Sequence, residues 1–388
     1  MSAGAQPPWR RLLPVAAVGL AVAAVLLTLQ FVRLARNDLG DDVTAPFIVG
    51  TSWYLDERLA ANHIPVTVTP GNGYDGQWFL GQAYDPLLLD GAATSFDMPR
   101  YRARRPLASM LGWLLAAGQS PAIPAALLSV GLLATGLGCA ATGRLLAGHG
   151  VSRWWGVGFA AIPGVVVGVM FGTAEPLALG LSALGLSLAT DRRVLAAGLA
   201  FAGAGLAKET YLAFAVAVAG YLLLTGHEGL RIRVGQAAAV VLPGFAALAA
   251  WWTYVAWTVP PNATDNVGTG AFTVPFAGWI AAFRLIARGR YVPDAPVGPF
   301  GAIALVGSFL LLVVAVLLAA RSRTLLGWSG LLFAVYGLSV TSPVLEGRFL
   351  SAMRTLAPCV LAAGLVVLVA VPTLLPRTRA RRQAQQAG

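Results

Sequence analysis

Charge is scarce in this chain: Asp, Glu, Lys and Arg make up only 11% of its 388 residues. Soluble domains carry about a quarter charged residues, so a soluble fold of this size would lack the polar groups to cover its surface. Lysine is scarcer still, because Lys208 is the one lysine and every other basic side chain is arginine. The two cysteines, Cys139 and Cys359, both lie in apolar runs and exclude a disulfide framework or a metal-binding cysteine spacing. His63, His149 and His227 are scattered and spell no zinc site. No P-loop and no Rossmann glycine pattern is present, which argues against a pump driven by its own nucleotide domain.

What is abundant is apolar sequence: 57% hydrophobic residues and a mean hydropathy of +0.72. The expected fold is therefore all-α and polytopic, a single integral membrane domain over residues 1–388. Apolar stretches approaching ~20 residues predict spans. They run from about Leu12 to Val32, Pro121 to Leu146, Trp154 to Met170, Pro176 to Ala189, Val194 to Ala207, Tyr211 to Leu224, Ala237 to Trp257, Phe300 to Ala319, Leu325 to Val340 and Leu356 to Leu375. The first follows Arg10 and Arg11 and lacks a clear cleavage site, so it reads as a retained anchor. Pro106 to Ala117 is apolar but short, as in a re-entrant or interfacial segment.

This layout predicts ten crossings with both termini on one side, and the charges choose that side. With the N-terminus in the cytoplasm, the inner connections and tail hold 14 of the 27 basic residues and only Asp191 and Glu228 of the 16 acids, giving +12 inside and −1 outside. Every inner loop is then basic, as the positive-inside rule requires. In a soluble chain a net charge of +11 would suggest nucleic acid; here its sorting accounts for it, and no nucleic-acid partner is expected. The loops 33–105 and 258–299 face outward, and the basic tail 376–388 stays inside against anionic lipid.

The first outer loop holds the chemistry-bearing stretch, Gly73-Tyr74-Asp75-Gly76-Gln77-Trp78-Phe79-Leu80. Phe79, Leu80, Ala83 and Leu87 recur at helical spacing, with Gln77, Gly81 and Asp85 opposite, the pattern of a short helix lying in the interface. Residues Phe47 to Leu59 suggest a second. Asp75 stands where an N-cap belongs, and a general base at the rim of the membrane is compatible with that position. Asp41 and Asp42 compete with it for that role.

Arg100-Tyr101-Arg102-Ala103-Arg104-Arg105 places four arginines on the outer side, against the positive-inside rule. Guanidinium forks match phosphate geometry, and a lipid phosphate lies at that depth. Lys208-Glu209 interrupts an apolar stretch at an outer turn, where it is either a functional pair or an internal ion pair closing the turn. Glu175 precedes Pro176 at a helix start, where capping accounts for it. Glu346, Arg348 and Arg354 lie in the last outer turn, within reach of the same phosphate.

These residues resemble the C-type (GT-C) superfamily of membrane glycosyltransferases, which take sugars from polyprenyl-phosphate carriers. Tyr74-Asp75-Gly76-Gln77, two aromatics and Asp85-Pro86 are similar to a motif of bacterial, largely actinobacterial, membrane proteins of this type, with Trp78-Phe79 where Phe-Tyr is usual. Arg102 to Pro106 resembles the arginine-rich segment that follows, and Leu206-Ala207-Lys208-Glu209-Thr210 the superfamily's lysine turn.

The resemblance implies a single displacement with inversion: an acceptor hydroxyl gives its proton to Asp75 and attacks the anomeric carbon. The polyprenyl phosphate then leaves, its charge held by Arg102, Arg104, Arg105 and Lys208. Tyr74, Gly76, Gln77, Asp85, Glu209 and Arg348 would complete the substrate site. Some superfamily members use a divalent metal, though no ligand cluster in this sequence requires one. The implied partners are a polyprenyl-phosphate sugar, a glycan, lipid or protein acceptor in the cell envelope, and membrane lipid. A flippase or transporter of lipid-linked material would share the spans and arginines but not need an acid beside glycines. A polymerase of lipid-linked glycans would use nearly the same outer-face chemistry.

Overall fold

Every apolar run named above contains helix. The computed structural model describes residues 8–51, 59–60, 63–262, 273–289, 299–322, 324–340, 342–345 and 349–374. Among them there is no strand, only an isolated bridge between Gly50 and Thr69. The helices are α1 (Leu13–Arg36), α2 (Gly76–Tyr84), α3 (Pro99–Ala103), α4 (Leu107–Leu115), α5 (Ile123–Gly148), α6 (Pro163–Met170), α7 (Glu175–Thr190) and α8 (Val194–Ala207). They continue as α9 (Ala213–Thr225), α10 (Leu230–Thr258), α11 (Ala277–Ala287), α12 (Pro299–Ala319), α13 (Leu325–Leu338), α14 (Ser342–Leu345) and α15 (Phe349–Leu374).

Among the described residues five helices are long and apolar enough to cross a membrane: α1, α5, α10, α12 and α15. A sixth exists only if a bent pair counts as one span. Residues Arg153–Ala161 form a 3-10 helix that meets α6 at 58°. The expected single span from Trp154 to Met170 is thus broken, and Pro163 is the cause. The residue before a proline is pushed out of the helical region, and Ile162 is extended at φ −62°, ψ 123°. Four other expected spans are short helices: α7 has 16 residues, α8 14, α9 13 and α13 14, below the ~20 that cross a bilayer unaided.

Burial concentrates where these short helices pack. α5 lies against α1, α7 and the 153–161 segment; α8 lies against α7 and α10; α15 joins α12 and α13. Small residues allow the close approach, as where Gly180 of α7 meets the Ala134 carbonyl of α5. Cys139 and Cys359 are buried, unbridged, in this interior.

The segment 33–105 departs from expectation. α2 does not lie in an interface with one wet face: Gly76 through Ala83 are all buried, Gln77 and Gly81 included. Its polar face is used internally, and Leu87 lies beyond its end, half exposed. The second interfacial helix expected near Phe47–Leu59 falls largely outside the described residues; Ala45–Phe47 is a short 3-10 turn. The basic tail 376–388 also lies outside them. α4 is a nine-residue helix packed on α2 and α5, with Trp113, Leu114 and Leu115 exposed, in keeping with a segment that does not cross.

Candidate functional site: an ion-pair network around Asp75

The motif before α2 is a backbone clasp. Gly73 has φ +64°, a conformation costly for other residues, and its neighbour Tyr74 donates its amide to the Ile48 carbonyl at 2.9 Å. Gln77 spans the loop: its Oε1 accepts from the Gly50 amide at 3.0 Å and its Nε2 donates to the Asn72 carbonyl at 2.7 Å. At Gly76 any side chain would collide with the Phe171 carbonyl, in the link from α6 to α7. Both glycines and the glutamine therefore fix where Asp75 stands.

Asp75 occupies the N-cap position of α2, yet its side chain makes no capping hydrogen bond. The carboxylate turns to two arginines instead. Oδ1 accepts from Arg102 Nη1 at 3.0 Å and Oδ2 from Arg354 Nη1 at 2.7 Å. Burial pushes this carboxyl up, but Arg354 and Arg102 outweigh it and hold it at about 2. Burial raises the Tyr74 phenol to about 12 against the pull of Arg354, whose guanidinium carbon lies 5.5 Å from the Tyr74 ring centroid.

From these arginines the network runs on. Arg102 also grips Asp97 through Nε and Nη2, at 2.8 and 2.9 Å. Arg354 donates Nε to Glu175 Oε1 at 2.7 Å, and Lys208 donates to the same oxygen at 2.9 Å. Thr173 donates its hydroxyl to the other oxygen of Glu175. Beside this chain Arg105 makes a two-pronged pair with Glu209, both bonds at 2.8 Å, and donates to the Tyr101 hydroxyl at 2.9 Å. Four cations (Arg102, Arg105, Lys208, Arg354) face four carboxylates (Asp75, Asp97, Glu175, Glu209), and the formal charges cancel. Burial demands such matching, since an unpaired charge at these positions would cost several kcal/mol.

Five distant pieces of chain meet here: the loop before α2, the α3 segment with Arg105, the junction from α6 through Glu175 to α7, the turn after α8, and the first turns of α15. Beside the network lies an open cavity of about 290 Å³. Its lining combines the charged Asp75, Arg105, Lys208, Glu209 and Arg354 with Tyr101, Thr210, Tyr336, Val344, Ser351 and Thr355.

Several sequence expectations find their places. Arg102, Arg105 and Lys208 are gathered at the network, whereas Arg104 turns aside and lies 4.9 Å over the Trp252 ring of α10. Lys208 and Glu209 do not pair with each other: Lys208 reaches Glu175 and Glu209 reaches Arg105. Glu175 is no mere cap; its carboxylate is 1% exposed and holds two cations. Asp85, also buried, accepts from the amides of Leu89, Asp90 and Ala92 and so shapes its own loop. Asp42 accepts from Thr44 and Thr67 in a separate turn, and Asp41 is exposed there. Arg348 and Glu346 lie outside the described residues.

Asp97 was not anticipated, and Arg354 only as a weaker candidate. The available signal was an arginine inside an otherwise apolar helix, which marks a buried partner.

Among the described residues no group of three or more His, Cys, Asp or Glu side chains is placed to hold a metal ion. Each carboxylate of the network is engaged by a cation. In comparisons with known proteins, no family model matches this chain, nor does any curated protein or solved structure. Fold and site together define an all-helical protein with several membrane-length apolar helices and a charge-matched ion-pair network beside an open cavity.

Proposed function

We propose that this protein is a membrane glycosyltransferase that moves a sugar from a polyprenyl-phosphate carrier to a cell-envelope acceptor. In this reading its ten apolar segments cross the plasma membrane, both termini are cytoplasmic, and the cavity opens to the extracytoplasmic face, in a GT-C-like arrangement. One observation carries it: Asp75 shares a cavity with Arg105, Lys208 and Arg354, and that cavity lies among apolar helices. A base and a set of phosphate-matching cations side by side are what displacement of a phosphate leaving group needs.

The acceptor hydroxyl passes its proton to the Asp75 carboxylate while its oxygen bonds to the anomeric carbon. The bond from that carbon to the phosphate oxygen breaks, and its electron pair stays on the polyprenyl phosphate. Arg105, Lys208 and Arg354 stabilise the second negative charge that appears there. Arg102 holds Asp75 and leans on Asp97.

The test supplies labelled polyprenyl-phosphate sugars and envelope acceptors to membranes holding wild type or Asp75→Asn. Wild type is expected to transfer label. The variant, at equal abundance, should be slower by ~10²–10⁴-fold, the usual worth of a general base. Equal transfer by both would remove Asp75 as base. Movement of the carrier across sealed vesicles without transfer would replace the reading with a flippase.

A further inference from the structure

The charge balance of the network poses a problem for any anion that binds there, because every cation already has a carboxylate. An incoming phosphate must take cations from one of them. Two of the four carboxylates do not line the cavity: Glu175 is 1% exposed and held by Thr173, Lys208 and Arg354, and Asp97 is chelated by Arg102. Of the two that do, Glu209 is joined to a single guanidinium by two parallel bonds. Such two-pronged pairs are the strong geometry. Asp75 instead divides its oxygens between two arginines, one bond each, and at 30% exposure it is the most accessible of the four.

We propose that Asp75 is an internal surrogate for the substrate phosphate, occupying Arg354 and Arg102 in the empty site and released from Arg354 when a phosphate group enters. This rests on the transferase reading and deepens it, for the base would be held inactive until the leaving group is in place. Its low proton affinity while paired with both arginines fits that resting state. The exchange is driven hardest as the glycosidic bond breaks, when the phosphate passes from one negative charge to nearly two. Release of the base and stabilisation of the leaving group thereby become one event.

The inference predicts a gain from deleting a charge. Asp75→Asn removes the competitor but leaves the cations, so it should bind a phosphate monoester more tightly than wild type. The expected gain is about ten-fold or more, the worth of one charge-assisted hydrogen bond. The probes are inorganic phosphate with protein in detergent, and a polyprenyl monophosphate in phosphatidylcholine nanodiscs. Tightening with both probes assigns recognition to the phosphate alone; tightening with only the lipid assigns it to a phosphate presented at the membrane.

Glu209→Gln is the comparison, and a larger gain there would overturn the assignment to Asp75. Binding by Asp75→Asn that is equal to or weaker than wild type would overturn it as well, as would failure of wild type to bind either probe. A second measurement needs no variant to tighten. The infrared difference spectrum of wild type on adding phosphate should contain a carboxylate band shift, and its absence would refute the exchange. Sugar transfer is assayed separately, so a protein that transfers label without this tightening rejects the exchange alone.

Discussion

Replacing Glu175 by glutamine removes one negative charge from a position that is 1% exposed and already holds Lys208, Arg354 and Thr173. Glutamine keeps one acceptor oxygen, but Lys208 loses its ion-pair partner and Arg354 keeps only Asp75. Breaking a buried ion pair from one side costs about 3–5 kcal/mol, because the remaining charge stays desolvated. The retained acceptor places Glu175→Gln toward the lower end of that range. Lys208→Met should cost less, since Arg354 still balances Glu175. The double variant restores neutrality and should be more stable than the summed single losses, by a coupling energy of about 1–3 kcal/mol. Reversible unfolding in mixed micelles measures all three. Losses that add to within about 0.5 kcal/mol would refute the claim that these side chains form one charge-matched unit.

Other consequences follow from the same geometry. Gly76→Ala forces a methyl group against the Phe171 carbonyl and should cost about 1–3 kcal/mol, with transfer reduced further because Asp75 moves with the turn; an unchanged unfolding midpoint would contradict this packing. Arg105→Gln should raise the KM for a polyprenyl-phosphate donor by about ten-fold or more, whereas Arg104→Gln, whose guanidinium lies over Trp252 and away from the cavity, should change it by less than about three-fold. Equal effects would remove Arg105 from the donor site.

The Asp75 carboxyl sits below its ordinary 3.8, at about 2. Its ion pairs therefore stabilise the fold fully above that ordinary value, and the contribution is lost as pH falls through about 2. The stability difference between wild type and Asp75→Asn should be flat above pH ~4, at about 2 kcal/mol, and vanish toward pH ~2. A difference that grows on acidification would reverse the sign and refute the pairing.

Much of the helical layout was legible because hydropathy is a local property. The apolar runs mark α1, α5, α10, α12 and α15 directly, whereas the break at Ile162 was missed although Pro163 causes it. The two glycines flanking Asp75 mark close backbone approaches, Gly73 to the Ile48 carbonyl and Gly76 to the Phe171 carbonyl. Tertiary pairing was not legible. Nothing in sequence joins Glu175 to Lys208 and Arg354, since they lie on three different helical segments and no period relates them. For the same reason Lys208 and Glu209, adjacent in the chain, suggested a pair that the fold divides between two partners. α2 misled by its amphipathic pattern: Gln77 and Gly81 mark a face that meets protein and not water, because Gln77 satisfies two backbone groups of its own loop. An amphipathic pattern reports polarity, not what covers the polar side.

The most direct test of the account is a structure of the full chain in a lipid nanodisc with a polyprenyl-phosphate sugar bound. The account predicts the phosphate in the cavity, within hydrogen-bond distance of Arg354 and at least one of Arg105 and Lys208, with the Asp75 carboxylate turned from Arg354 toward the anomeric carbon. A phosphate bound elsewhere, with Asp75 still joined to both arginines, would contradict it.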